Sequence, residues 1–518
     1  MGIFANPLTD LLEYEDFSRD FLKGTDPVGM TGCIDSEKVH FMSTFLGEKK
    51  VQLVVTYNEQ RAREIEEDYK LFCSQVYVIP PRDLIFFSAD LQGNAIIAER
   101  MKAFAALYQN EAKVIITTMD ALMSEAVPFE QLMSHVIKLK EGDELDLEKL
   151  KHDLTVMGYE RVGRVEEPGQ FTVHGGIADV YPLTMEVPVR IELWGDEIDT
   201  IRCFEPQSQR SMDQIESVSV FPAAEVIADD TARRRAVGMI KNELESQLAV
   251  FKKAKEPDKA KRLREETNRI LEALGEDVVL EAPDSYISYF YPRTVQLSEY
   301  FDEKNTLVFL DEPMRLKERG DGVQAEFEES MKNRLEQGFL LPGQTALLTP
   351  AKHVLAAFER GQVAALSSLD SRLADFTVVN SYAVNVQNMN TYREGFELLI
   401  KDLTHWKKEK YRIVLLCPSR TRANRIVNQL IEYDLLAYYS EDEDKKINPG
   451  EIMVTYGNLH RGFLYPMLKF AVITESDIFG VKKKKKEKKS HYQGQRISDF
   501  AQLKPGDYVV HENYGLGI

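Results

Sequence analysis

The chain has 518 residues, 43% hydrophobic and 29% charged, and 65 Lys and Arg against 84 Asp and Glu leave a net charge of -19. Such a length holds roughly three to four globular domains, and so acidic a chain does not coat nucleic acid by itself, because duplex binding is driven by neutralising phosphates. Four dispersed cysteines (Cys33, Cys73, Cys203, Cys417), nine histidines without ligand spacing, no signal-type apolar core and no apolar run of about 18 residues point away from a metal site, a disulfide framework and a membrane span, and leave the cytoplasm as the expected compartment.

Residues 1–127 alternate strand and helix. Val51–Thr56, Val76–Ile79 and Val114–Thr118 are short apolar strands. Residues 59–72 read as a helix with Ala62, Ile65, Tyr69 and Phe72 along one side, and 96–108 as a second helix. This is an α/β layout with a mostly parallel sheet, that of one half of a helicase-type motor. Such a half carries a P-loop near its start, and the candidate is Gly29-Met30-Thr31-Gly32-Cys33-Ile34-Asp35-Ser36-Glu37-Lys38. A working loop reads G-x-x-x-x-G-K-[ST]: its backbone N–H groups wrap the phosphates, its Lys reaches the outer ones and its hydroxyl holds Mg²⁺. Here Gly32 is followed by Cys33, Ile34 and Asp35, Lys38 is displaced, and Asp35 would repel phosphate. The expectation is a loop that kept its shape, at Gly29 and Gly32, and lost its ligand.

Residues 128–222 change period. In 189–193, Val189, Ile191 and Leu193 fall on one face, and Arg190 and Glu192 on the other. Gly175-Gly176 and Gly195-Asp196 sit where tight turns belong. The pattern predicts a small antiparallel, half-exposed sheet of about five strands. Arg190 and Glu192, two apart on one strand, stand roughly 6.5–7 Å apart on the same face.

The same stretch carries a family pattern. It runs through Gly158, Tyr159 and Arg161, then Pro168, Gly169 and Phe171, then Gly175, Gly176, Asp179, Tyr181 and Pro182. It continues through Arg190, Glu192, Gly195, Asp196, Glu197, Ile198, Arg202, Phe204, Pro206, Gln209 and Arg210. This resembles the second domain of the excision-repair protein UvrB and, more closely, its counterpart in the transcription-repair coupling factor (Mfd) family. The resemblance implies docking onto UvrA, the damage-recognition ATPase. Arg190 and Glu192 match the family's UvrA-contacting pair, with Arg161 and His174 as further candidates. UvrB-type sequences place arginines where this chain has Thr172 and His174, which implies a weaker or rearranged interface.

Residues 223–350 return to the first domain. Residues 231–274 are largely helical, with basic residues such as Arg233, Lys252 and Lys253 interleaved with acids, as in a solvated helix pair. The apolar run 307–310 ends in Asp311-Glu312, which resembles a Walker B element; there the acids would hold Mg²⁺ and orient water. Without a P-loop they have no nucleotide to serve. Residues 375–480 form another α/β unit, with strands at 412–416, 452–455 and Phe470–Thr474. Its helix at 419–433 turns Ile426, Val427, Leu430 and Ile431 inward. It offers no Gly-rich phosphate loop and no nucleophile–base pair, and it resembles the third domain of the coupling factor. Residues 481–497 open with VKKKKKEKKS, a lysine-rich linker that cannot bury apolar area, with phosphate contact by Lys482–Lys489 as the less favoured alternative. Residues 498–518 resemble the start of the CarD-like RNA-polymerase-interacting domain, through Pro505, Gly506, Asp507, Tyr508, Val509, Val510 and His511.

The expected architecture is therefore α/β. A degenerate helicase-type parallel-sheet domain (1–127 plus 223–350) carries an inserted antiparallel sheet domain (128–222), followed by a second α/β domain (375–480). The resemblance implies transcription-coupled nucleotide excision repair, in which the full-length factor displaces stalled RNA polymerase at a lesion and recruits UvrA. This chain would supply the UvrA-recruiting and motor-restraining part. It would have no catalytic residues and no cofactor of its own. ATP, Mg²⁺ and double-stranded DNA would be bound by a translocase motor that the family carries further on, so the chain is expected to be part of a longer protein. The alternatives are a UvrB-like ATPase that loads on damage itself and a CarD-type transcription regulator.

Overall fold

Runs of aliphatic and β-branched residues dictate the first sheet. Val114–Thr118 and Thr306–Asp311 are buried at every position, as are five of the six residues of Val51–Thr56. Strands covered on both faces belong to parallel sheets with helices on either side. The computed structural model describes residues 7–48, 50–82, 94–275, 283–370, 376–392, 395–442, 445–480, 509–511 and 515–517. In it seven parallel strands lie in the order Asn380–Ala383, Val28–Thr31, Val363–Ser367, Thr306–Asp311, Val51–Thr56, Val114–Thr118, Val76–Ile79. Alternate residues feed different cores: Leu53, Val55 and Ile115 face one, Val54, Val114 and Ile116 the other. The first core is closed by the helices Asn94–Tyr108 and Pro313–Glu336, through Phe104, Leu316 and Phe327. The helix expected at 59–72 runs Glu59–Tyr69, opened by the Asn58 side chain accepting from the Arg61 N–H at 2.7 Å.

This sheet runs past residue 350, the expected limit of the first domain, and takes in Asn380–Ala383, expected within the third. That strand is an exposed edge without an apolar run, so only its pairing with Val28–Thr31 shows where it belongs.

The insertion builds six strands in the order Ser211–Gln214, Glu197–Phe204, Val189–Trp194, Ile177–Val180, Gln170–His174, Glu160–Arg161. All neighbours are antiparallel except the last two, which run parallel. One strand more forms than the pattern predicted, because Glu160–Arg161 is only two residues long. Both predicted turns are present, with Gly175 at φ +60° and Gly195 at φ +66°. The inner face (Phe171, Val180, Val189, Ile191, Ile201) packs on Leu150 and Leu154 of the helix Leu147–Val156. At its root Ile137–Lys140 pairs with Ser217–Val220. The expected helix pair is Asp230–Ala254 and Pro257–Gly275, sealed by Ile240, Leu244 and Leu263.

The third unit is a six-stranded sheet around parallel Phe470–Thr474, Arg412–Cys417, Ile452–Tyr456 and Ala437–Tyr439. One face is covered by the helices Phe396–Lys408 and Arg420–Glu432. In the latter Ile426 and Leu430 are buried, but Ile431, expected inside, is exposed. It lies one residue and 100° of helical turn beyond Leu430, off the narrow buried stripe. The other face, through Val414, Leu416, Phe470 and Val472, packs on the first unit in a single shared core with Phe41, Ile65 and Tyr69. The lysine-rich run lies outside the described residues. Of the CarD-like stretch only two short paired strands, Val509–His511 and Gly515–Gly517, are described.

Candidate functional site: a closed motor remnant and an open sheet face

The remnant loop leaves Val28–Thr31 and enters the helix Asp35–Ser43. Gly32 sits at φ +84°, and a Cβ there would lie 2.0 Å from the Val384 carbonyl oxygen. The chain demands this glycine for a close approach of its own backbone. The helix start is filled from within: the Glu37 carboxylate accepts from the Ile34 N–H at 3.1 Å. Lys38 turns away from the loop. Its Nζ donates to Asp311 Oδ1 and to Glu312 Oε1, both at 2.6 Å, with the lysine and Asp311 buried. Asp311 Oδ2 also accepts from Thr56 Oγ1 at 2.8 Å and from Arg61 Nε at 3.4 Å. Burial works against charge here, but the two carboxylates hold the Lys38 ammonium above its usual value. Lys38 and Arg61 likewise hold Asp311 below the usual carboxylate range against burial.

The P-loop-like and Walker B-like stretches, read separately in the sequence, thus meet in one buried ion cluster. The acids that would hold Mg²⁺ are neutralised by the chain's own ammonium, and Asp35 faces Arg461 Nη1 at 3.4 Å. These residues do not fit a phosphate-bound magnesium ion.

The outer face of the inserted sheet is covered at one end, where Tyr181 and Phe204 pack on Val165, and Thr172 and Asp179 are buried; it is exposed at the other, at His174 and Ile177. Strand registers line up Thr172, Asp179, Arg190, Arg202 and Gln214 in one row, and His174, Ile177, Glu192 and Thr200 in the next. Arg190 is held inside its row. Its Nε and Nη2 donate to the two Asp179 oxygens at 2.8 and 2.7 Å, and its guanidinium lies 4.7 Å from the Phe204 ring centre. Its side chain is 21% exposed. Glu192 accepts from Thr200 Oγ1 at 3.2 Å, and His174 Nε2 lies 2.9 Å from Thr172 Oγ1. Arg190, Glu192 and His174 therefore share the outer face. Arg161 does not join them. It lies on the edge strand next to that of His174, in register with Phe171, a core-facing residue, so strand parity puts it on the other side.

Sequence reasoning passed over Trp194. With Val189, Ile191 and Leu193 turned inward, parity turns Trp194 outward beside Glu192, and it is 84% exposed. Ile177, in register with Glu192, adds a second exposed apolar side chain.

A family model of the UvrB interaction domain matches residues 137–225, and one of the MFD D3 domain matches residues 405–478. The chain is thus similar to a UvrB interaction domain and, further on, to an MFD D3 domain. The first begins at Ile137–Lys140 and ends just after Ser217–Val220, so the two strands at the root of the insertion belong to it. Similarity to transcription-repair-coupling factors extends over the whole chain. It is 29% identical to that of Bacillus subtilis over 520 residues, covering 99% of this chain and 44% of the relative. It is 28% identical to that of Staphylococcus epidermidis over 523 residues, covering 100% and 44%. The chain thus spans less than half the length of the curated relatives it matches. Among the described residues no helix is long and apolar enough to cross a membrane, and no group of three or more His, Cys, Asp and Glu could hold a metal ion.

Proposed function

We propose that the chain is the recruiting part of a transcription-repair coupling factor, and that the outer face of its UvrB interaction domain docks UvrA. The observation that carries this is Trp194, exposed at the end of the strand that bears Arg190 and Glu192 and on the same side as they are, inside the residues that match that domain. A tryptophan is the kind of anchor that dominates protein interfaces. Glu192 and His174 supply polar contacts around it, while Arg190 shapes the strand through Asp179. In the whole protein, RNA polymerase, double-stranded DNA, ATP and Mg²⁺ are engaged by other domains, and this part restrains the motor. The Lys38–Asp311–Glu312 cluster supports a role here without nucleotide. The reading places the protein in the cytoplasm, with its DNA substrate.

Calorimetric titration of the chain against UvrA, with and without ATP, tests this. Saturable binding with no ATP turnover by the chain alone is the expected result. ATP turnover by the chain would favour a UvrB-like motor, and binding to RNA polymerase without binding to UvrA would favour a CarD-type regulator.

A further inference from the structure

Two fully buried carboxyl groups sit where the first unit meets the third. Glu37 lies on the helix Asp35–Ser43 and Asp68 on the helix Glu59–Tyr69. Besides the Ile34 N–H on Glu37, each accepts a hydrogen bond from one stretch of the third unit. The His460 N–H donates to Asp68 Oδ1 at 2.5 Å, and the Tyr465 hydroxyl donates to Glu37 Oε1 at 2.7 Å. Between them the Arg461 N–H donates to Ser36 Oγ at 2.9 Å. Beside these bonds the seam has an apolar and aromatic core: His40 stacks on Phe463 at 5.2 Å, and Leu459, Phe463 and Tyr465 share a core with Phe41, Ile65 and Tyr69.

Among the described residues Asp68 Oδ2 has no hydrogen-bond partner, although the Ser36 hydroxyl lies beside the carboxyl group. A carboxylate with one bare oxygen in such a seam is far more costly than the neutral acid. Burial pushes both Glu37 and Asp68 up to about 7, against their hydrogen bonds. The charged and titratable groups facing them come from every side. On the first unit Asp68 meets Arg61 and Glu64, but Arg61 already serves Glu64, Asp311 and the Asp35 carbonyl. Glu37 meets Cys33, whose thiol burial pushes well up, and Lys38, which is committed to Asp311 and Glu312. The Tyr465 hydroxyl that serves it also lies 3.1 Å from His40 Nδ1. From the third unit come Tyr465, pushed well up by burial; His460, 3.7 Å from Glu64; and Arg461, which faces Asp35. Among the described residues no Lys, Arg or His nitrogen forms a salt bridge with either acid, and Lys38 and Arg61 act on them only from beyond contact.

We infer that this seam is a proton-operated joint: with Glu37 and Asp68 protonated, the stretch 459–465 is clamped onto the two helices, and loss of those protons loosens it. Both acids sit above their unfolded values of about 4. Their stabilising effect is complete below about 4 and is lost as the pH rises through about 7. The helix that would sense a bound phosphate in a working motor senses protonation here, and the third unit is the element released. This holds whether or not the sheet face docks UvrA.

Hydrogen exchange of the full chain between pH 6 and 8, corrected for intrinsic rates, tests the joint. Protection of the amides of His460, Arg461 and Gly462 is expected to fall about tenfold per carboxyl across that range, while Val114–Thr118 keeps its protection. Asp68→Asn and Glu37→Gln, which cannot ionise, are each expected to remove one part of that fall. His40 and His460 also face the seam, so these variants separate the acids from the imidazoles. Should Asp68→Asn fail to fold, Glu37→Gln, which keeps an acceptor for Tyr465, still reports. Protection that is flat with pH in the unmodified chain, or a fall that is undiminished in Glu37→Gln and in any folded Asp68→Asn, would overturn the inference.

Discussion

Lys38 Nζ lies 2.6 Å from Asp311 Oδ1, although 273 residues separate the two in the chain. The lysine that the sequence places beside a P-loop-like stretch is the counter-ion of the acid that it places in a Walker B-like one. Removing one partner of a buried pair leaves the other charged and unpaired. Lys38→Met should therefore cost about 3–5 kcal/mol of unfolding free energy at neutral pH, read by chemical denaturation. A cost under about 1 kcal/mol would mean that water reaches the acids.

The same cluster and the seam beside it respond to pH with opposite signs. Asp311 is held below its usual value, so its contribution is present above about 4 and is lost as the pH falls through its native value. Asp68 is pushed up to about 7, so its contribution is lost as the pH rises towards that value. Denaturation midpoints in urea should show Lys38→Met losing its penalty only in strong acid, while Asp68→Asn gains on the unmodified chain between pH 6 and 8. Parallel pH profiles for the two variants would contradict these assignments.

Gly32 offers a test of what the remnant loop is for. Its φ of +84° and the 2.0 Å approach of the Val384 carbonyl leave no room for a methyl group. Gly32→Ala should destabilise the chain by about 1–3 kcal/mol in thermal unfolding, with or without added nucleotide. Protection of the unmodified chain by nucleotide would show a phosphate site that the geometry does not provide.

Arg190 is a poor place to probe the sheet face. Read as an exposed charge, it invites Arg190→Glu as a variant that abolishes binding and spares the fold. In the structure that substitution sets a second carboxylate against Asp179 and removes two charge-assisted hydrogen bonds. A loss of about 1–3 kcal/mol of stability is expected, visible as a lowered melting temperature of the isolated chain. An unchanged melting temperature would return Arg190 to the exposed surface.

These cases show what was legible and why. The parallel sheet could be read because doubly covered strands are continuous apolar runs, as in Val114–Thr118. Asn380–Ala383 could not, because an edge strand of Asn, Ser, Tyr and Ala has no signal apart from its partner. Lys38 and Asp311 were each visible as motif remnants, but their pairing is a long-range fact of the folded sheet. Trp194 was within reach, since the parity that turned Leu193 inward also turned its neighbour out. The Asp179–Arg190 pairing was not, because it depends on cross-strand register rather than on either strand's own pattern.

The central claim is that the outer sheet face, anchored by Trp194, binds UvrA. The most direct measurement is the affinity of the chain for UvrA beside that of Trp194→Ala, with both melting temperatures recorded. Trp194 is 84% exposed, so the substitution should change stability by no more than about 0.5 kcal/mol. A weakening of UvrA binding by about 2 kcal/mol or more, roughly thirtyfold, is the result predicted. Equal affinity of the two chains, or no affinity of the unmodified chain for UvrA, would contradict it.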